Sequence, residues 1–221
     1  MGIILHVLPD FLNGAKNTII LCFTSFALAL LVGLILALMS NAPITWLRGP
    51  ARIYIEIIRS TPMLAQLFIL YYGVSALLAT VNLAQYDTSW TAGIATLTIN
   101  YAAYEAEVFR AGFLSVDKGQ REAALSLGLT SRQSFFRIVL PQAVPLMIPP
   151  FVNDFIYMLK DSAIVSAIGL SELTATLDYW RVRNGSNPFP YFALAIALYL
   201  VLSLPTSYFA RSFERRLRSA L

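Results

Sequence analysis

Apolar residues in this chain gather in long runs instead of alternating with polar ones. Five runs, 17–39, 57–78, 91–109, 144–168 and 191–209, approach or exceed the roughly 20 residues that a helix needs to cross a bilayer core. The pattern predicts an all-α integral membrane protein of five spans. The first, second and fifth read as spans on apolarity alone. The third carries Asn100, Tyr101, Glu105 and Glu107, and the fourth Asn153, Asp154, Lys160 and Asp161. Polar groups inside a span face protein or a water-filled cavity rather than lipid.

Between the third and fourth runs lies a polar, basic stretch, about 111–143. Lys118 to Leu127 is rich in helix formers, Gly128 suits the position after a helix end, and Ser131 can cap a second helix that stops before Pro141. The prediction is a helix, a turn and a helix on one membrane face. Phe135, Phe136, Ile138 and Val139 stand beside Arg132 and Arg137, an apolar knob with a basic rim that suits a groove in a soluble partner. On the second run, Pro62 fits the first turn of a helix, with Ser60 or Thr61 as its cap. Ala29, Gly33 and Ala37 give the first run a smooth face for close helix packing, within the subunit or between subunits.

Composition agrees with a membrane protein: 57% hydrophobic residues, 13% charged and a mean hydropathy of +0.66 depart from the soluble average. Twelve of the 16 Lys and Arg fall on segments that share a side with the 111–143 stretch, three (Lys16, Arg181, Arg183) fall opposite, and Lys160 lies within a span. This bias predicts an external N-terminus and a cytoplasmic C-terminus. It also accounts for the +4 net charge and the pI near 9.3, so the Arg215-Arg216-x-Arg218 tail reads as topogenic charge and no nucleic acid is expected. The first run exceeds the apolar core of a cleaved signal and is expected to be retained. Cys22 and His6 are the only residues of their kinds, which leaves no intramolecular disulfide and predicts no metal site; His6 reads as a solvated terminal residue. No Gly-x4-Gly-Lys-Ser/Thr segment is present, so the chain has no phosphate cradle of its own and is not expected to be an enzyme. One domain over 1–221 is expected, without linker or internal repeat.

Glu122-Ala123-Ala124, then Gly128, then Ile138-x-Leu140-Pro141 resembles the EAA loop of the transmembrane permease subunits of binding-protein-dependent ABC importers. The flanking Ala103 to Arg110 and Lys118-Gly119-Gln120 are similar to the polar amino acid branch, the histidine, arginine and glutamine type. So are Arg59-Ser60-Thr61-Pro62 with Gln66, and the Lys160-Asp161-Ser162 triplet. The resemblance implies a type I importer fold in a prokaryotic inner or plasma membrane. It also implies alternating access driven by two separate ATP-binding cassette subunits, which hold ATP and Mg. A second permease, identical or homologous, and an extracellular or periplasmic amino acid-binding protein are the other implied partners. Force would enter through Glu122, Ala123, Ala124, Gly128, Phe135, Phe136 and Arg137.

For a cargo site the fourth run is the sharpest candidate. Asp154 and Asp161 stand seven residues apart, which on a helix is roughly 20° from eclipsed and about 10 Å. Two carboxylates on one intramembrane face call for a cation. An acidic residue at 154 resembles the permeases that bind basic amino acids, which makes Asp154 the specificity candidate; a structural carboxylate paired with Lys160 or an arginine is the alternative. An amino acid also needs donors for its carboxylate and an acceptor for its ammonium group. Asn100, Tyr101 and Glu105 can line the opposite wall, and Asp161 or Glu105 can take the ammonium. Ser162, Asn153 and Gln66 can supply neutral hydrogen bonds. Glu107 near Arg110 reads as an interfacial ion pair. Two other classes stay open: a membrane anchor or assembly subunit that only recruits a cytosolic partner, and a secondary transporter, disfavoured by size.

Overall fold

The computed structural model describes residues 2–80, 88–184 and 187–220. Among them every regular element is helical: α1 (Gly2–Ser40), α2 (Thr45–Arg59), α3 (Met63–Phe68), α4 (Ser75–Thr80), α5 (Ser89–Ser115), α6 (Lys118–Ser126), α7 (Ser131–Ser134), α8 (Leu140–Asp161), α9 (Leu173–Arg183) and α10 (Phe189–Ala220). Two π-helical turns, Ile69–Val74 and Phe135–Val139, and a 3-10 turn, Ser162–Ile168, extend α3 and join α7 to α8 and α8 to the α9 loop.

Among the described residues three helices are long and apolar enough to cross a membrane: Ile4–Ser40, Ser131–Ile168 and Phe189–Arg215. A bent pair, Thr45–Arg59 with Met63–Val74, is a fourth candidate. Outward side chains such as Leu31, Ile35 and Leu38 on α1, and Ile196, Val201 and Leu204 on α10, are apolar and exposed, as lipid-facing surfaces are. Helix α5 is the axis, packed along α1 and against α8, α2 and α3. Thr88 starts it by exchanging hydrogen bonds with Thr91, a cap that stabilises a helix by about 1 kcal/mol.

The small-residue face of α1 is used inside the subunit. Ala29 and Ala37 are fully buried, as are Ala102, Ala103 and Ala106 of α5. A Cβ on Gly33 would stand 2.8 Å from the Cβ of Glu105 and 3.1 Å from the Ala102 carbonyl oxygen, so only glycine allows this approach.

Several boundaries differ from the apolar runs. Helix α1 begins before residue 17, because Val7, Phe11 and Ala15, four apart, continue its buried face onto Leu173, Tyr191 and Ala195. The run from 57 to 78 is broken near its start: Thr45–Arg59 and Met63–Val74 are bent by 109°. Ser60 ends α2, and Thr61 donates its hydroxyl back to the Ile57 carbonyl (2.8 Å) instead of capping α3. Pro62 stands just before α3, at its N-cap.

In the polar stretch, Asp117 caps α6 through the Gly119 N–H (2.6 Å), and Gly128 takes φ 85. Thr130, not Ser131, caps the next helix, trading hydrogen bonds with Gln133 (2.9 and 3.2 Å). That helix does not stop before Pro141. Proline lacks the N–H that would reach back to residue 137 and crowds the preceding turn. The wider π turn Phe135–Val139 takes up the misfit, and the helical path runs from Ser131 to Ile168.

Candidate functional site

Asp154 and Asp161 lie on the same side of α8, and together with Tyr157 they face Asn100, Tyr101 and Tyr104 of α5 across a cavity of about 210 Å³. Their spacing of seven brings both carboxylates to one wall. Tyr101 donates its hydroxyl to Asp161 Oδ2 at 2.8 Å. Among the described residues, Asp154 has no ion pair. Lys160 makes no ion pair with it among the described residues: its Nζ lies 4.5 Å from the centroid of the Tyr157 ring.

Gln66 joins this wall to the bend between α2 and α3. Its Oε1 accepts from Asn100 Nδ2 (2.9 Å), while its Nε2 donates to the Ile58 carbonyl (2.9 Å) and to Thr61 Oγ1 (2.8 Å). The amide is thus satisfied by protein on both sides. It holds Asn100 in orientation and ties the bend to α5.

Three other candidates stand outside the cavity. Ser162 is fully buried and donates to the Leu159 carbonyl (2.8 Å), Asn153 is exposed, and Glu105 is fully buried at the α1–α5 seam beside Gly33. Neither Glu105 oxygen has a hydrogen-bond partner among the described residues. Tyr157 joins the wall without a signal of its own beyond its place one turn from both aspartates; Tyr104 shares a face with Asn100. Glu107 pairs with Arg110 at 2.6 Å.

At the far end of α5, Glu122 and Ala123 are exposed and Ala124 is buried. Leu125, Leu127 and Phe136 are exposed apolar groups around the Gly128 turn, with Leu127 82% exposed. Phe135 turns inward and packs edge-on against Phe113 (centroids 5.3 Å apart), and Val139 is buried, so of the expected knob Phe136 is the free aromatic. Arg137 is exposed, and Arg132 lies 6.0 Å from the Phe136 ring centroid. No group of His, Cys, Asp and Glu among the described residues is arranged to hold a metal ion.

Residues 6–219 match the family described as binding-protein-dependent transport system inner membrane component. The L-cystine transport system permease protein TcyL of Bacillus subtilis (strain 168) is 37% identical over 222 residues, covering 99% of this chain and 91% of that protein. The arginine transport system permease protein ArtQ of the same organism is 34% identical over 218 residues, covering 96% and 94%. A crystal structure of an amino acid ABC transporter with histidines superposes with a TM-score of 0.88 at 38% identity, covering 96% of each chain. The chain belongs to the binding-protein-dependent transport system inner membrane components, a family of transport subunits and not of enzymes.

Proposed function

We propose that this chain is the permease subunit of an ATP-driven importer for a polar amino acid with a basic side chain, and that the cavity between α5 and α8 holds the cargo. The observation that carries the reading is the pairing of two carboxylates, Asp154 and Asp161, in one cavity with no cation bound to Asp154 among the described residues. An amino acid is smaller than the drug-sized ligands that fill about 300–1,000 Å³, which suits a space of about 210 Å³. Asp161, oriented by Tyr101, takes the ammonium group, and Asp154 takes the cationic side chain. Asn100, held by Gln66, offers a neutral polar edge. The solved relative with histidines and the arginine permease ArtQ support a basic cargo; the cystine permease TcyL marks how far cargo varies at this level of identity.

In this reading the chain is one transmembrane domain of five spans, with α5 as the third and the bent α2–α3 pair supplying the second. The α6 end is cytoplasmic and the N-terminus external, as the distribution of Lys and Arg favours. One such unit encloses only part of a pathway, so it works beside a second permease, with a pair of ATPases inside and a binding protein outside. Glu122, Leu125, Leu127 and Phe136 around Gly128 form the surface against an ATPase. The unbroken helical path from Ser131 to Ile168 carries its motion to Asp154. A passive anchor would have no use for a carboxylate-lined cavity.

The test is uptake into proteoliposomes containing both permeases and the ATPase. Asp154→Asn is expected to raise the apparent KM for L-arginine about tenfold, the loss of roughly 1.4 kcal/mol of charge recognition, and to spare L-glutamine. Unchanged affinity and selectivity would end the charge-recognition reading. Gly128→Asp, which places a side chain at φ 85, should insert normally yet fail to retain the ATPase.

A further inference from the structure

Two further spaces lie beside the carboxylate cavity, toward the α6 end of the bundle. A second space, about 480 Å³, shares Tyr104 and Asp154 with the cavity and has Arg59 and Glu107 in its wall. A third, about 500 Å³, shares Arg59 and Glu107 with the second and adds Arg52, Glu56 and Arg110. The first two spaces have Tyr104 and Asp154 as common walls, and the last two have Arg59 and Glu107.

Arg59 lines both of the larger spaces. Its guanidinium carbon is 5.3 Å from the centroid of the Tyr104 ring. Glu107 is already taken, held by Arg110 through Nε and Nη2 at 2.6–3.1 Å. Among the described residues Arg59 therefore has no ion pair, and it shares a wall with a carboxylate, Asp154, that has none either. Arg59 is also the last residue of α2. The clasp that fixes the bend after it, Gln66 on Ile58 and Thr61, reaches through Asn100 into the cavity wall.

We infer that Arg59 is a tethered counter-cation for Asp154, resting on the Tyr104 ring at the inner mouth of the cavity and giving up its place to a cationic cargo side chain. The inference rests on the cavity being the cargo site. A carboxylate in a low-dielectric wall is costly without a cation near it, and a guanidinium can move between an aromatic face and a carboxylate on its long stem. Arg59 then competes with basic cargo for Asp154 and leaves neutral cargo untouched. It is a specificity-determining residue that acts by competition, outside the set that touches the cargo backbone.

The complete transporter in nanodiscs decides this by equilibrium binding of L-arginine and L-glutamine. Arg59→Gln should lower the Kd for L-arginine about fivefold, the fold-change at the upper end of an exposed ion-pair energy, and leave L-glutamine within about twofold. In an Asp154→Asn background the same substitution should change nothing. A second variant, Arg59→His, compares two charge states in one folded protein: relative to wild type, L-arginine should bind more tightly at about pH 8 than at about pH 5.5. Equal changes for both amino acids, weaker arginine binding, or an effect that persists with Asp154→Asn would overturn the inference. If Asp154→Asn loses arginine binding and Arg59→Gln alters nothing, only the role of Arg59 falls. If neither amino acid binds the wild type, or Asp154→Asn binds both as the wild type does, the cargo cavity itself is wrong and Arg59 falls with it.

Discussion

Glu172 and Glu105 are both fully buried carboxylates, and their surroundings are opposite. Glu172 caps α9 through the Ala175 N–H (2.8 Å) and accepts from the hydroxyls of Thr18 (3.4 Å) and Tyr199 (3.1 Å). Thr18 in turn accepts from the Leu173 N–H (3.2 Å). One side chain thereby binds α1, α9 and α10 at the end remote from α6. Among the described residues Glu105 has no partner for either oxygen, although α1 crosses it closely at Gly33. A buried polar group left unsatisfied costs about 1–3 kcal/mol. The packed α1–α5 seam carries that cost and the Glu172 clasp does not.

Substitutions can break this contrast. The largest effect is expected for Glu172→Ala, which strands the Thr18 hydroxyl proton and the Ala175 N–H in a packed interface and removes one partner of the Tyr199 hydroxyl. A loss of about 3 kcal/mol should appear as a clearly lowered apparent Tm of the purified complex. Phe135→Ala comes next, removing an inward aromatic that rests on Phe113 and costing about 2–3 kcal/mol, toward the low end for aromatic truncation because the site is only half-buried. Phe136→Ala, its exposed neighbour, should leave Tm within about 0.5 kcal/mol of wild type and instead weaken coupling of ATP hydrolysis to uptake. A change of opposite sign to that of Glu172 is expected for Glu105→Met: about 1 kcal/mol of added stability, since an unpaired polar group gives way to an apolar one of similar shape. A Tm lowered as far as that of Glu172→Ala would show that Glu105 has a partner and would remove the contrast.

The two ends of the polar stretch also differ in how far the sequence displays them. The α6 helix, the left-handed turn at Gly128 and the shared wall of Asp154 and Asp161 follow from local rules: helix formers, a glycine at positive φ, a spacing of two turns. The Glu107–Arg110 pair is legible in the same way, three residues apart on one helix. Other features depend on tertiary partners. The break after Arg59 is fixed by Gln66 reaching back to Ile58 and Thr61, which no apolar run records. The helix passes Pro141 because a π turn absorbs the proline, where a local rule would stop it. Glu105 and Asn153 lie on the same helices as cavity residues and face elsewhere, a matter of rotation against α1 that hydropathy does not encode. Arg59 lies outside the apolar core of its run, and only the bend brings it to Tyr104.

The central claim, that cargo sits against Asp154 in the α5–α8 cavity, is most directly tested by protection of an introduced cysteine. Cys22 is the only native cysteine and is fully buried, whereas Tyr157 lines the cavity and is 57% exposed. In the complete transporter, Tyr157→Cys should react with a soluble thiol reagent, and saturating L-arginine should slow that reaction severalfold, an effect lost when Asp154→Asn is added. Labelling at the same rate with and without L-arginine, in a complex that still imports it, would place the cargo elsewhere.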